Sequence, residues 1–185
     1  RSIQDLSARL NRLTDVRAIA EAIVAEASPL ADYHDIRIYR VDWERRMCDP
    51  IAFTREMLGD DPADAETMLR VAVGEGFTGR VVETGESLLL DDASTCEFAI
   101  KIEGTAQIEE SIIAVPMHYG ARVIGVIVVS KLGLNQFDTD DLRLLEVLAG
   151  QTAAAVENAR LYEAQRREAE SAKALLEFGR DLAAA

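Results

Sequence analysis

The chain has 185 residues, of which 33 are acidic and 20 basic, giving a formal net charge of −13. This length suffices for one domain with a buried core and a flanking helix. The acidity argues against nucleic-acid binding, which needs clustered Lys and Arg, and against docking on an anionic membrane. The longest apolar runs, Ile112–Met117 and Val123–Val129, are too short to span a bilayer and are typical of buried strands.

The cysteines and histidines are few and isolated. Cys48 and Cys96 lie far apart without a CxxC pairing, and His34 and His118 are equally separate. Without clustered ligands, we expect no metal site. The pattern predicts a cytoplasmic chain with two reduced thiols and no membrane span.

The first half of the chain is predicted to contain helices followed by strands. A first helix carries an apolar stripe that consists of Ile3, Leu6, Leu10 and Leu13. The next elements are a helix from Thr14 to Pro29, a strand over 36–43, a strand over Met47–Phe53, an acidic loop over Leu58–Glu66 and a strand over 68–73.

The second half is predicted to contain a hairpin and a long helix. A short strand at Ser87–Leu90 precedes an aperiodic stretch, Asp91–Glu110. The strands Ser111–His118 and Val123–Ser130 are joined by a short turn, which implies antiparallel pairing. A helix capped near Asp138 then continues past residue 162. This order of elements predicts an α+β fold rather than alternating βαβ units.

Residues 74–79 (GEGFTG) match the GxGxxG pattern of dinucleotide-binding loops. Only about two helical turns follow before Gly85, whereas a dinucleotide crossover needs a longer helix and a parallel sheet. We therefore interpret these glycines as tight backbone turns.

Four segments in order resemble the GAF domain, a small-molecule-sensing relative of the PAS domain: LTDVRAIAEAIVAEA, GEGFTGRVVETGESLLLDD, SIIAVPMHYGARVIGVIVVSK and QFDTDDLRLLEVLAGQTAAAVENARLYEA. The resemblance implies a central antiparallel sheet of about six strands. Terminal helices would pack on one face, and loops and short helices would cover a ligand pocket on the other. It divides the chain into a connector helix (1–13), the GAF domain (14–162) and a C-terminal connector helix or the start of a following domain (163–185).

GAF domains differ in what they hold, and the residues here disfavour several options. Cys96 lies in the region where bilin-binding members attach the chromophore, but Glu97 follows it where His is common. Residues 93–110 contain no His for haem, and Ser130 replaces the Asn of the cyclic-nucleotide pattern. In the stretch resembling the free methionine sulfoxide reductases, Thr78 stands where a cysteine would be. Such chemistry needs a thiolate.

The sequence therefore predicts a non-catalytic sensory GAF domain of a multidomain signalling protein, without haem, bilin or metal. An unidentified small ligand would occupy a pocket lined by Tyr39, Asp92, Cys96, Phe98, Ile100, Ser111 and Ile113. The terminal helices would form a parallel homodimer and transmit the change to a covalently linked output domain. The alternatives are an enzyme like the free methionine sulfoxide reductases and a ligand-free dimerisation scaffold.

Overall fold

The computed structural model describes residues 10, 15–27, 34–54, 62–98 and 109–184. The helices are α1 (Val16–Ala27), α2 (Pro62–Leu69), α3 (Gly76–Thr84) and α4 (Thr139–Ala184), with a 3₁₀ turn at Ala93–Thr95. The strands are β1 (Asp35–Asp42), β2 (Met47–Phe53), β3 (Val71–Ala72), β4 (Leu88–Leu90), β5 (Glu110–Tyr119) and β6 (Arg122–Leu132).

The strands form one sheet of six in the order β3-β2-β1-β6-β5-β4. Each neighbouring pair is antiparallel. The long pairing of β5 with β6 begins at the two-residue turn Gly120-Ala121, where Gly120 has a φ of 60°, a conformation that glycine adopts without strain. The predicted α+β fold with an antiparallel sheet of about six strands is confirmed.

Alternation along the strands separates two layers of core. One face, which we call the helix face, packs against α1 and α4 and includes the buried residues Ile36, Ile38, Ile113, Val115, Met117, Ile127 and Val129. The other, which we call the loop face, packs against α2, α3 and the 3₁₀ turn and includes Tyr39, Cys48, Ile112, Ala114, Val126 and Val128.

The segment between β2 and β3 differs from the prediction. The last part of the predicted acidic loop belongs to helix α2, and the predicted strand over 68–73 is reduced to Val71–Ala72. Pro62 is the first residue of α2, a position that proline favours because its fixed φ suits the first helical turn. Leu69 at the other end is buried in the core of the loop face. Residues 55–61 lie outside the described residues.

The glycines in and after the GxGxxG match have different structural roles. Gly79 in α3 approaches β3 so closely that an added Cβ would lie 2.1 Å from the carbonyl oxygen of Ala72. The helix ends at Gly85, which has a φ of 70° and donates its N–H to the carbonyl of Val81 at 2.8 Å. Gly74 and Gly76 have positive φ values of 94° and 58°, as the predicted tight turns require, whereas Gly79 serves the packing of α3 on the sheet.

Helix α4 begins at a carboxylate cap and has two unlike halves. Asp138 Oδ1 accepts hydrogen bonds from the N–H groups of Asp140 and Asp141 at 2.8 and 2.9 Å. Up to Arg160 one side of the helix is buried on the sheet, whereas residues 164–178 are exposed throughout. Among the described residues no helix is long and apolar enough to cross a membrane. Of the predicted N-terminal stripe only Leu10 is described, and it is buried in the core of the helix face.

Candidate functional site

A row of polar side chains lies on the loop face along β1. Asp35, Arg37 and Tyr39 alternate with the helix-face residues Ile36 and Ile38, so all three project to the same side of the sheet. Arg37 Nε lies 2.7 Å from Asp35 Oδ2, and the two side chains are only 14% and 10% exposed. Asp35 also accepts a hydrogen bond from the hydroxyl of Thr54. A charged pair of this kind is costly to desolvate unless it is well compensated.

The electrostatics of this row are set by burial and by the proximity of opposite charges. Burial acts to lower the pKa of the Arg37 guanidinium, but Tyr39, Asp35 and Glu110 together raise it. Burial raises the pKa of the Tyr39 phenol, and the adjacent Arg37 opposes that shift. Arg37 therefore stays cationic and Tyr39 neutral, and the phenol can act as a hydrogen-bond donor or acceptor.

Two buried polar atoms in the described part of the chain lack a hydrogen-bond partner, and both flank Asp35. One is Arg37 Nε, which meets Asp35 at ion-pair distance without the alignment of a hydrogen bond. The other is the hydroxyl of Ser130, which is 1% exposed and belongs to the residue directly opposite Asp35 on β6. The Asp35 carboxylate compensates the charge at Arg37 Nε, so the Ser130 hydroxyl is the costlier of the two groups to bury.

A cavity of about 90 Å³ opens beside this row, lined by Arg37, Tyr39, Met68, Leu69, Arg70, Val71, Gly76, Phe77 and Thr78. The sheet provides Arg37 and Tyr39, helix α2 covers one side, and the first turn of α3 covers another. Thr78 is 4% exposed and adds a hydroxyl from the first turn of α3. A liquid water molecule occupies about 30 Å³, so the cavity has room for a few non-hydrogen atoms.

The structure brings only part of the predicted pocket together. Tyr39 lines the cavity, but Ile113 is buried in the helix-face core, and Ser111 alternates onto that same face. The prediction that Ser111 and Ile113 face the same space as Tyr39 is therefore wrong. Its error is one of strand parity, because a one-residue shift along β5 turns every side chain to the other face. The residues of β5 that share the loop face with Tyr39 are Ile112 and Ala114.

Three of the remaining predicted residues, Asp92, Cys96 and Phe98, lie around the 3₁₀ turn, and none of these three lines this cavity. Asp92 caps that turn, because its Oδ1 accepts from both the N–H and the hydroxyl of Ser94, at 2.9 and 2.6 Å. Cys96 is partly exposed, and Phe98 lies under the guanidinium of Arg80, 5.8 Å from its ring centre. Ile100 lies outside the described residues.

The sequence interpretation missed Arg37 and Thr78. Arg37 follows from Tyr39 by alternation once Tyr39 is assigned to the loop face, so the sequence held that information. Thr78 lies inside the glycine-rich segment, which the sequence interpretation assigns to backbone turns and not to ligand binding. No local pattern indicates that the first turn of α3 covers the Tyr39 side chain.

Ser111 has a structural role instead. Its Oγ lies 2.9 Å from the carbonyl of Asp91 and 2.8 Å from that of Gly133, and it accepts the N–H of Gln136 at 3.1 Å. The N–H of Asn135 also donates to the carbonyl of Asp91 at 3.0 Å. The hydroxyl thus joins the end of β4 to the segment that leads from β6 into α4.

The two cysteines differ in reactivity. Cys48 is fully buried on β2, and burial raises its pKa to about 12. A thiol with that pKa is almost entirely protonated at neutral pH and is a poor nucleophile. Cys96 lies at the rim of the loop face, so it is the accessible thiol.

Comparison with known proteins defines the class to which this fold and this site belong. The family model described as "GAF domain" matches residues 14–157. Because the match covers well over half of the sequence, the chain belongs to the GAF domain family. No curated protein matches the chain significantly.

Several solved structures are similar to the chain. The free methionine-R-sulfoxide reductase from Neisseria meningitidis, solved with its substrate, has 21% identity and a TM-score of 0.73, over 86% of this chain and 88% of that one. The GAF domain of the Acinetobacter phosphoenolpyruvate-protein phosphotransferase has 21% identity and a TM-score of 0.72, over 85% and 92%. Its counterpart from Coxiella burnetii has 18% identity and a TM-score of 0.74, over 87% and 94%. These similarities concern the fold alone.

Proposed function

We propose that this chain is a non-catalytic sensory GAF domain that binds a small polar ligand on the loop face. The observation that carries the proposal is the buried polar row along β1: the Arg37–Asp35 ion pair borders the cavity, and the Ser130 hydroxyl opposite Asp35 has no hydrogen-bond partner among the described residues. A face built only for stability would hold apolar side chains there. The ligand that fits offers an oxygen acceptor to the guanidinium and a polar group to the neighbouring hydroxyls.

The route from ligand to output would run through Ser111. Its contacts join the chain beside the 3₁₀ turn to the segment that enters α4, so a shift of the loops on ligand binding would reach that helix. In the full protein, α4 would pass this change to a covalently linked output domain. The free state of both cysteines supports a cytoplasmic location, where thiols stay reduced.

A thermal-shift screen with small carboxylic acids and the smallest amino acids tests the proposal. A ligand present at 100 times its Kd stabilises the fold by about 2.7 kcal/mol, which for a chain of this size raises Tm by about 5–10 °C. The shift should disappear in Arg37→Met and shrink in Tyr39→Phe, which keeps the packing, and it should persist in Arg122→Met, whose side chain is exposed on the far hairpin. A hit whose shift survives both loop-face variants would refute the site.

The enzymatic alternative is supported by the similarity to the free methionine-R-sulfoxide reductases. The chemistry of this chain favours sensing, because Cys48 is buried with a raised pKa and Thr78 occupies the cavity wall. We expect no turnover of free methionine-R-sulfoxide with a thiol reductant above the protein-free rate. Turnover that vanishes in Cys96→Ser, a change at a partly exposed residue, would establish the enzyme instead.

The other alternative, a scaffold that only dimerises, would leave the loop face without a ligand. It predicts that the Ser130 hydroxyl and the Arg37 charge are dispensable to every response of the protein. The same screen separates the two cases, because a scaffold yields no hit among any class of small molecule.

A further inference from the structure

The ladder between β1 and β6 stops before either strand ends. Its last pair is Arg40 with Gly125, whereas β1 continues to pair with β2 as far as Asp42. At Gly125 the two strands are in close contact, because an added Cβ would collide with the carbonyl oxygen of Tyr39. Beyond this pair, a cleft opens between the end of β1 and the start of β6.

A β-bulge in β6 explains why its pairing with β1 ends here. The register of β5 against β6 shifts between Met117 and His118, so Ile124 is the extra residue of β6. A bulge bends the strand that carries it and interrupts regular pairing. In place of ladder bonds, the indole N–H of Trp43 donates to the carbonyl of Val123 across the opening at 2.8 Å. This bond fixes the indole ring as a wall of the cleft.

The opening, which we call the β1–β6 cleft, has a volume of about 340 Å³, whereas the loop-face cavity has about 90 Å³. At about 30 Å³ per water molecule it has room for roughly ten non-hydrogen atoms. Its size and its largely apolar walls are those of a typical small-molecule site. These walls come from β1 and the turn after it, from β5 and β6, and from α4, and consist of Val41, Trp43, Tyr119, Ile124 and Val156.

The charged groups of the cleft give it a small positive excess in a chain whose net charge is −13. Among the described residues that line it are three arginines and two glutamates: Arg40, Arg122, Arg160, Glu157 and Glu163. Arg160 is held by Glu157, because its Nε lies 3.0 Å from both carboxylate oxygens. Arg40 is exposed and has no ion-pair partner within the described part of the chain. Its guanidinium is therefore available to an anion.

An adjoining groove of about 420 Å³ runs along α1 and β2 and shares Arg40 with the cleft. Its other arginines already have carboxylate partners. Arg17 pairs with Glu66 at 3.0 Å, and Arg70 pairs with Asp49 at 2.6 Å. The groove also lacks an aromatic wall among its described lining residues. The combination of a free guanidinium with aromatic rings therefore distinguishes the β1–β6 cleft.

We propose that the β1–β6 cleft binds a planar aromatic monocarboxylate. The guanidinium of Arg40 holds the carboxylate through two parallel hydrogen bonds, a geometry that suits arginine better than lysine. The flat ring lies against Trp43 and Tyr119, since aromatic rings favour offset-stacked or edge-on contacts. The small positive excess favours a single negative charge over a doubly charged phosphate. Because α4 contributes Val156, the ligand contacts both the sheet and the helix that leaves it.

This inference is independent of the proposed function, because the cleft and the loop-face cavity share no lining residue. The single tryptophan of the chain, Trp43, lies in the wall of the cleft and reports on its occupancy. Titration of the full chain with benzoate should give a saturable change in tryptophan emission and a matching rise in Tm. Benzamide keeps the planar shape without the charge and should bind about tenfold more weakly. Cyclohexanecarboxylate keeps the charge without the flat ring and should bind about threefold more weakly.

Arginine variants locate the bound benzoate. Arg40→Met removes the guanidinium from an exposed position, so the chain folds, and the Kd for benzoate should rise about tenfold. Arg167→Met changes an exposed arginine farther along α4 and should leave the Kd within about twofold. Arg37→Met, on the loop face, should also leave benzoate binding in place.

Three results would overturn the proposal. The first is the absence of both an emission change and a thermal shift with benzoate. The second is binding that survives Arg40→Met but is lost in Arg37→Met, which would place benzoate on the loop face. The third is binding of benzamide or cyclohexanecarboxylate as tight as that of benzoate, which would remove the charge or the flat ring from recognition. The first and third results leave the loop-face site untouched, because that site is tested with smaller acids and with Arg37→Met.

Discussion

The two faces of the sheet are built from the same strands, yet they hold different kinds of side chain. On β1 the helix face receives Ile36 and Ile38, and the loop face receives Asp35, Arg37 and Tyr39. The helix face is covered by α1 and by the first half of α4. The loop face is covered by short helices and contains a cavity with buried charge. The apolar core and the buried polar groups are therefore separated by alternation along a single strand.

The largest expected difference concerns the thiols that line the loop face. With a pKa of about 12, Cys48 presents at pH 8 only about one thiolate in ten thousand, compared with about one in four for an ordinary thiol. Ionisation alone should slow its labelling roughly a thousandfold relative to an ordinary thiol. Because a raised thiol pKa favours the neutral form, the rate should climb tenfold per pH unit until the pH approaches that value.

Thiol labelling that is quenched at timed intervals and read by mass spectrometry compares the labelling rates of Cys48 and Cys96. At pH 8 one label per folded chain should appear quickly, on the peptide that contains Cys96, and the second only after denaturation. Equal labelling of both cysteines in the folded protein would mean that the core of the loop face admits solvent, and the comparison of the two faces would then have to be revised.

Ile38→Ala tests the helix face at a fully buried position. Ile38 is fully buried between β2 and β6, and removing three methyl or methylene groups should cost about 3 kcal/mol of unfolding free energy. Urea denaturation with an unchanged m-value measures the loss. Ile124→Ala, at a half-buried position beside the same core, is the matched control and should cost clearly less. Similar losses would show that this face is not the better-packed one.

Gly79→Ala tests how tightly the cover of the loop face is held. The new Cβ would lie 2.1 Å from a backbone oxygen, so α3 must shift, at a cost of about 2 kcal/mol. Gly150→Ala is the control: nothing lies within 4 Å of its added Cβ, and the change should stabilise α4 by up to about 1 kcal/mol. We expect any ligand-induced thermal shift to weaken in the first variant and persist in the second.

The sequence predicted the strands, the hairpin and the start of α4 because these carry strong local patterns. Met47–Phe53 was predicted with the bounds observed, and the cap at Asp138 fixed the start of the last helix. Helix α2 was missed because its acidic residues resemble a solvated loop, and only the contact of Leu69 with the core distinguishes them. The helical conformation of that segment depends on tertiary packing, which a local sequence pattern does not contain.

The candidate site was harder to predict because it depends on which face a side chain takes. Tyr39 was assigned to the pocket, but Ser111 and Ile113 were chosen without fixing the parity of β5 against β1. That parity is set by the pairing of Ala114 with Val128 and of Val128 with Arg37, which becomes visible only in the folded sheet. A register in antiparallel strands is a long-range property, and the turn between β5 and β6 relates only those two strands.

The smallest expected effect is the difference in stability between alanine variants of two buried serines that lie on opposite faces of the sheet. The Ser111 hydroxyl on the helix face contacts three backbone groups, so Ser111→Ala should lower the free energy of unfolding by about 1 kcal/mol. The loss stays this small because the carbonyl of Asp91 still accepts the N–H of Asn135. The Ser130 hydroxyl on the loop face has no partner within the described part of the chain, so Ser130→Ala should leave the stability of the free protein unchanged or raise it by up to about 1 kcal/mol. The stabilisation by a bound ligand should follow the opposite pattern: it should be retained in Ser111→Ala and decrease in Ser130→Ala.

Chemical denaturation of both variants, with and without a screening hit, gives the four free energies of unfolding. If Ser130→Ala destabilises the free chain as much as Ser111→Ala does, its hydroxyl already has a partner, and the strongest argument for a ligand beside Asp35 is lost.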